Sequence, residues 1–168
     1  MSTPLHLVFM GVSGSGKSTA ARAVQERLGW EMAEGDDFHP PENVQKMSEG
    51  TPLTDADRWG WLESLAEWAA ERDARGEPTI TACSALRRSY RDVLRRGGPG
   101  TFFVHCTGDK YLLIERMNAR EHFMPPSLLE SQLDTLEPLR ADEEGMDVDI
   151  ALPVDRIVEV VLERLDLS

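Results

Sequence analysis

The residues that most directly suggest chemistry are the eight that begin at Gly11 and read Gly-Val-Ser-Gly-Ser-Gly-Lys-Ser. They fit the pattern G-x-x-x-x-G-K-[ST], in which backbone N–H groups curl around phosphate oxygens. In this pattern Lys17 reaches the β- and γ-phosphates, and the Ser18 hydroxyl binds Mg²⁺. An apolar run before the motif and a helix-forming run after it supply the required strand and helix. The predicted nucleotide-binding residues of this loop are Gly11, Val12, Ser13, Gly14, Ser15, Gly16, Lys17, Ser18 and Thr19.

Two adjacent carboxylates, Asp36 and Asp37, follow the short segment predicted as the second strand. In small kinases a carboxylate at this strand end faces the phosphate loop, where it can orient Mg²⁺ or accept the proton of an attacking hydroxyl. The alternative is that the pair merely caps a turn. Adjacent carboxylates repel each other, which favours a site role, with Asp36 preferred to Asp37. The third and fourth strands do not end in Asp, and the guanine-reading Asn-Lys-x-Asp pattern is absent, which disfavours large motor ATPases and GTPases.

Further polar donors lie in an insertion at about 38–77, which includes His39, Lys46 and Arg58. The two cations could simply occupy a solvated helix face. In an acidic chain, however, several donors in one short insertion suit the capture of a small anionic or hydroxyl-rich acceptor, and arginine offers a fork that matches a carboxylate.

Two basic clusters follow. The first comes after the third strand and contains Ser84, which could bond the acceptor, and Arg87, Arg88 and Arg91. Positive charge is disfavoured in the N-terminal half of a helix, so at least one of these arginines is expected to bind a ligand. The second cluster is a predicted lid at about 117–127, where arginines would cover the transferred phosphoryl group and exclude water. The candidate residues of this lid are Arg120 and His122, together with Arg116 directly before it.

Length, composition and net charge narrow the class of protein. The chain has 168 residues, of which 40% are hydrophobic, and this suits a single domain over 1–168. Its net charge of -12 would repel a nucleic acid and so disfavours such a partner. Its two cysteines, Cys83 and Cys106, lie in or beside apolar runs and are interpreted as buried thiols. Neither a signal peptide nor an apolar run of about 20 residues is found, so the protein is predicted to avoid membranes and to be cytoplasmic.

Apolar runs alternate with helical patterns along the chain. Strands are predicted at about 5–10, 31–34, 79–83, 101–106 and 147–151. Helices are predicted at about 17–28, from Pro41 to near Gly50, after the capping residues 54–57, and at about 86–95, 110–118, 127–135 and 154–165. Alternation of this kind implies parallel pairing. The expected fold is α/β: a three-layer α/β/α sandwich with a five-stranded parallel sheet.

Several longer strings carry a family resemblance: GVSGSGKST at 11–19, GDDFHP at 35–40, NVQKM at 43–47, GTPLTDADR at 50–58, ACSAL at 82–86, HFMP at 122–125 and SQLDTLE at 131–137. Together they resemble the gluconate kinases, a branch of the small P-loop kinases. The phosphate loop alone belongs to a vast superfamily, whereas GDDFHP, ACSAL and HFMP in combination are far more specific. One departure from the family pattern is Glu121, which stands where members of that family commonly have glycine. This difference weakens the inference that Arg120 has the role of the matching family residue.

The resemblance implies a P-loop kinase with a helical substrate-binding insertion and a lid, which phosphorylates D-gluconate at its 6-hydroxyl with ATP and Mg²⁺ and works as a homodimer. On this reading Lys17, Asp36 and Arg120 are catalytic, and Ser18 and Asp36 serve the metal. The residues predicted to bind the substrate are Asp36, His39, Lys46, Arg58, Ser84, Arg87, Arg91 and His122. The residues alone indicate only a small-molecule kinase. A kinase for shikimate or another sugar acid, and a regulatory module that binds ATP without transferring phosphate, remain the alternatives.

Overall fold

A computed structural model describes residues 3–12, 14–51, 53–118 and 127–167 and contains one five-stranded sheet. The strands are β1 (His6–Met10), β2 (Glu31–Glu34), β3 (Thr79–Ala82), β4 (Thr101–Thr107) and β5 (Gly145–Asp149). Every pairing is parallel, and the order across the sheet is β2-β3-β1-β4-β5. The predicted parallel sheet is therefore confirmed, with β1 at its centre.

Seven α-helices flank this sheet in the described part of the chain. They are α1 (Lys17–Leu28), α2 (Pro41–Ser48), α3 (Asp55–Ala74), α4 (Arg88–Leu94), α5 (Lys110–Asn118), α6 (Ser127–Thr135) and α7 (Val154–Arg164). Helix α1 packs against α7, and α3 packs against α4. The result is the predicted α/β/α sandwich. None of the helices in the described residues is long and apolar enough to cross a membrane.

The core follows from the sheet's burial on both faces. Strand β1 is buried along its whole length, and β4 is buried except at its last residue. A parallel sheet covered by helices on both sides produces such continuous rather than alternating burial. Cys83 and Cys106 are free and buried, and burial raises the pKa of each thiol to about 12, as expected of inert core thiols.

Two helix starts behave as their sequences predict. Pro41 occupies the first turn of α2, where a missing N–H costs no hydrogen bond. Helix α3 begins with a capping box, in which the Thr54 hydroxyl accepts from the Asp57 N–H at 3.2 Å and the Asp57 carboxylate accepts from the Thr54 N–H at 2.9 Å.

Two elements begin two residues away from their predicted starts. Strand β5 begins two residues early, because Gly145 pairs with Phe103 of β4, and it ends at Asp149, where the chain enters a turn. Helix α4 begins at Arg88 rather than near 86, because Ala85 has a φ of 47° and Arg87 is extended. The sequence also gave no sign of two 3-10 helices, Gly35–Phe38 and Arg95–Gly97.

Candidate active site

The loop between β1 and α1 has the geometry of an anion-binding site. Gly11 has a φ of 149°, and a Cβ there would lie 2.6 Å from the Cys106 carbonyl oxygen. Gly16, with a φ of 78°, is the N-cap of α1 and offers no side chain to the helix's first N–H groups. The Ser15 hydroxyl is buried and has no hydrogen-bond partner in the described part of the chain. Donors left open at a helix N-terminus suit a phosphate group.

A cavity of about 490 Å³ opens beside this loop. Its walls change from polar backbone at the loop to apolar side chains farther out, with Arg116 of α5 at one side. Arg116 donates from Nη2 to the Ile150 carbonyl oxygen at 2.7 Å, which fixes its guanidinium plane. The lining residues are Gly14, Ser15, Gly16, Ser18, Thr19, Ala20, Arg22, Cys106, Arg116, Ile150, Leu152, Val154 and Ile157.

A second pocket is lined by Lys17, next to the first cavity's Gly16 and Ser18, and extends towards the insertion between β2 and β3. It brings together five predicted site residues from four separate segments: Lys17, Asp36, His39, Arg58 and Ser84. The other lining residues are Met47, Thr51, Leu53, Trp61, Leu86, Ser131 and Gln132. Ser131 and Gln132 were not selected from the sequence, where their only signal was their place in the string at 131–137 that carries the family resemblance.

Asp36 is positioned by the short 3-10 helix that follows β2. The Trp61 indole N–H donates to the Gly35 carbonyl oxygen at 2.7 Å and so ties this helix to α3. Both aspartate side chains are exposed, but Asp36 lines the pocket with Lys17 and Asp37 is not among the described residues that line it. The role of Asp36 stays a prediction that this placement allows.

His39 is held as a neutral side chain. Its ring stacks on Trp61 with 3.9 Å between ring centroids, and its Nδ1 lies 3.2 Å from the Asn43 side-chain nitrogen. Because that amide nitrogen can only donate, Nδ1 accepts and the ring proton resides on Nε2. Burial, aided by the charge of Arg58 and opposed by that of Asp36, lowers the pKa of His39 to about 4. His39 can therefore act as a hydrogen-bonding group but not as a cation near neutral pH.

Arg58, the cation of the pocket that comes from α3, is supported from behind. Its Nη1 donates to the Tyr90 hydroxyl at 2.9 Å, and its side chain is only 15% exposed. Asp55 lies beside both groups and is 3.7 Å from Arg58 Nη1. The guanidinium edge that remains faces a pocket able to accept a carboxylate.

Oxygen ligands suited to a divalent cation lie at the end of β2. The Ser18 hydroxyl donates to Glu34 at 2.9 Å. Burial raises the pKa of Glu34, the Ser18 hydrogen bond opposes this, and the charge of Asp36 raises it further. One hydroxyl and two carboxylates fit Mg²⁺, which binds few protein ligands and completes its shell with water and substrate phosphates. Glu34 was not selected from the sequence.

Three predicted substrate contacts lie elsewhere. Lys46 donates to Asp57 at 2.8 Å, and this bond, together with that from the Thr54 N–H, lowers the pKa of the Asp57 carboxyl to about 2. Arg87 lies 3.9 Å from Asp55 and is 43% exposed.

Arg91 departs furthest from its predicted role. It is fully buried, pairs with Glu143 at 2.9 Å and donates to the Ala85 carbonyl oxygen at 2.9 Å. The helix-dipole argument for a ligand contact fails for Arg91, because Glu143, which is distant in sequence but adjacent in space, compensates the charge of the guanidinium. Predicted residues Ser13, Arg120 and His122 lie outside the described residues.

Comparison with known proteins gives the family. A profile described as an AAA domain matches residues 7–139. The chain is 48% identical to a gluconokinase of Gluconobacter oxydans, over 96% of this chain and 89% of that protein. An unliganded sugar kinase from Janibacter superposes with a TM-score of 0.94 at 52% identity and covers 98% of this chain and 96% of its own. A gluconokinase from Sinorhizobium meliloti gives a TM-score of 0.86 at 49% identity, over 98% and 95% of the two chains. This chain is therefore a kinase of the gluconokinase family.

Proposed function

We propose that this protein transfers the γ-phosphoryl group of ATP to the 6-hydroxyl of D-gluconate and yields 6-phospho-D-gluconate and ADP. The observation that carries the proposal is the pocket in which Lys17 of the phosphate loop and Asp36 face one space, with Arg58 in its wall. A phosphate-binding cation, a proton acceptor and a carboxylate-binding fork are the groups that phosphorylation of a sugar acid needs. The family to which the chain belongs supplies the identity of the acid.

In this proposal each residue has a distinct task. Lys17 neutralises charge on the transferred phosphoryl group. Asp36 orients the acceptor hydroxyl and takes its proton as the new P–O bond forms. Arg58 binds the acceptor's carboxylate at the other end of the pocket, while Ser84 and neutral His39 bond its hydroxyl groups.

The large cavity beside the loop is proposed to hold ATP. Its apolar wall at Ile150, Leu152 and Val154 suits a purine base, and the guanidinium of Arg116 offers a flat cationic surface for stacking. Arg120 remains a prediction as the lid cation over the γ-phosphate, and His122 as an acceptor contact.

Mg²⁺ is proposed to bind at Ser18 and Asp36, with Glu34 as the acceptor of the Ser18 proton. The bound ion would neutralise charge on the β- and γ-phosphates. A Ser18 hydroxyl that donates to Glu34 keeps its lone pairs available for a cation.

The acceptor is tested with a panel of acids in an assay that couples ADP release to a colour change. Gluconate, shikimate and other sugar acids are compared at equal concentration, and the position of the phosphate is read by NMR. We expect turnover of gluconate with a phosphomonoester on its terminal carbon. Turnover of another acid with none of gluconate, or tight ATP binding without any phosphorylated product, would refute the proposal.

The family resemblance further suggests a homodimeric, cytoplasmic enzyme. Light scattering of the purified protein tests the first point, since a dimer has twice the 18.8 kDa mass of one chain. Cell fractionation tests the second.

A further inference from the structure

Tyr90 of α4 lies behind the wall of the acceptor pocket and forms a short relay of hydrogen bonds. Its side chain is almost completely buried. Its hydroxyl accepts from Arg58 Nη1 at 2.9 Å and donates to Asp55 at 2.5 Å. The directions are fixed by chemistry, because a guanidinium can only donate and an ionised carboxylate can only accept. The single hydroxyl proton is thus committed to Asp55, and the oxygen lone pairs face Arg58.

Of the two groups that the described residues place beside Arg58 Nη1, Tyr90 is the nearer. Asp55 itself is 3.7 Å from Nη1, beyond a good hydrogen bond, whereas the Tyr90 oxygen is within one. The guanidinium carbon also lies 5.2 Å from the centre of the Tyr90 ring. Trp59 packs edge-on against that ring, with 5.7 Å between centroids, and so holds it in place. A long, flexible side chain is thereby fixed before any ligand arrives.

We propose that Tyr90 is a positioning residue for acceptor recognition: its hydroxyl, held by Asp55, aims the Arg58 fork into the pocket and thereby selects acceptors that carry a carboxylate. This inference rests on the proposed function, in which Arg58 binds the carboxylate of gluconate. Tyr90 touches neither ligand in this scheme. Its effect is to reduce the conformational freedom that Arg58 must lose when the acceptor binds.

The test compares Tyr90→Phe with Tyr111→Phe. The chain has two tyrosines, and Tyr111 is 81% exposed, so the second variant makes the same chemical change away from both pockets. For Tyr90→Phe we expect the KM for gluconate to rise about ten-fold, the size expected for one hydrogen bond to a charged group. The KM for ATP should stay near that of the wild type, while the thermal midpoint should fall by only a few degrees, as expected for the loss of buried hydrogen bonds in a chain that still folds. Tyr111→Phe should match the wild type throughout.

Selectivity gives a second readout that a merely structural role would not move. The ratio of kcat/KM for gluconate to that for D-glucitol, its neutral polyol counterpart, should fall in Tyr90→Phe, because only the carboxylate contact is weakened. Equal losses for both acceptors would show general damage to the pocket and overturn the inference.

A double-mutant cycle with Arg58→Ala tests whether Tyr90 acts through Arg58. Without the arginine, the further change Tyr90→Phe should alter kcat/KM for gluconate little. The same loss in both backgrounds, or an unchanged gluconate KM in Tyr90→Phe alone, would overturn the positioning role while leaving the kinase assignment intact. Failure of the wild type to phosphorylate gluconate would instead refute the proposed function.

Discussion

Two adjacent aspartates show how much local placement matters at the scale of single residues. Asp36 and Asp37 share one turn of 3-10 helix and are both exposed, yet of the two only Asp36 is among the described residues that line the pocket beside Lys17. Alternate positions on a tight turn point in different directions, so neighbouring residues of identical chemistry need not share a function. Their difference can be measured.

We predict that Asp36→Asn lowers kcat by about 100-fold or more, because it removes the proton acceptor and a cation ligand while preserving shape. Asp37→Asn is the matched control, and its kcat should stay close to that of the wild type. Steady-state kinetics with saturating gluconate and ATP measure both. Equal effects of the two substitutions would contradict the assignment of Asp36.

His39 provides a prediction about pH. Its pKa is lowered from 6.5 to about 4 in the folded protein, chiefly by burial. At pH values between about 4 and 6.5, His39 is protonated in the unfolded chain and neutral in the folded chain. His39 therefore lowers the free energy of unfolding as pH falls below about 6.5, and this contribution levels off below about 4.

NMR titration of the histidine ring protons measures this directly, with His39→Gln used to assign the resonance. We expect the His39 signal to titrate near pH 4. Denaturant unfolding should also show a smaller loss of stability in the Gln variant between neutral pH and pH 4. A His39 resonance that titrates near its usual value would contradict the buried, stacked geometry.

At the scale of elements, an ion-pair cluster fixes the turn that leads from β3 into the acceptor pocket. Arg91 donates to the carbonyl oxygen of Ala85, whose φ of 47° is unfavourable for a residue with a Cβ. Glu143 pairs with Arg91 and also lies 3.4 Å from both Arg88 and Arg95. Ser84, directly before this turn, lines the pocket. The cluster thus connects α4 and the chain before β5 to the placement of a site residue.

We predict that Glu143→Gln destabilises the protein by about 3 kcal/mol, because it leaves the buried Arg91 guanidinium without its counter-charge. Arg91→Met combined with Glu143→Gln should cost less than the sum of the two single changes, since no unpaired buried charge remains at Arg91. Denaturant unfolding measures all three variants. Strictly additive losses would show that the pair is not coupled.

The same cluster marks the limit of sequence reasoning. The phosphate loop and its flanking strand and helix could be predicted because all their determinants lie within some 25 neighbouring residues. Arg91 was predicted to contact the substrate, but it is buried against Glu143, and this partner could not be foreseen because it lies 52 positions away in sequence. Lys46 likewise pairs with Asp57 across a helix-to-helix connection. A cation's partner is a property of the fold, and a charge that looks free in sequence can be fully occupied.

The predicted boundaries of some helices and strands were inaccurate for a related reason. The start of β5 is set by its register with β4, where Gly145 pairs with Phe103, rather than by its own apolar residues. Residues such as Trp61 and Gln132 look like helix core or surface in sequence. They become lining residues only because α3 and α6 approach one end of the sheet.

At the scale of the whole molecule, two pockets meet at the phosphate loop. Lys17 lines the acceptor pocket, and the next residue, Ser18, lines the nucleotide cavity. Consecutive helices continue this relation, since α5 supplies Arg116 to the nucleotide cavity and α6 supplies Ser131 to the acceptor pocket. The Lys110 ammonium of α5 also pairs with Glu130 of α6 at 3.1 Å. A ligand in either pocket therefore restrains a pair of connected helices.

We predict that the two ligands bind with positive coupling. A non-hydrolysable ATP analogue should lower the Kd of gluconate about five- to ten-fold, and gluconate should lower the Kd of the analogue by the same factor, as linkage requires. The reason is that each ligand contacts one of two helices joined by the Lys110–Glu130 pair, so the first ligand restrains part of the site that the second must hold in place. Isothermal titration calorimetry of each ligand, alone and with the other at saturation, measures both factors. Arg116→Ala should weaken the coupling more than it weakens gluconate binding to the nucleotide-free protein, because Arg116 lines the nucleotide cavity and is not among the described residues that line the acceptor pocket. Equal gluconate affinities with and without the analogue would show that the two pockets act independently despite their shared loop.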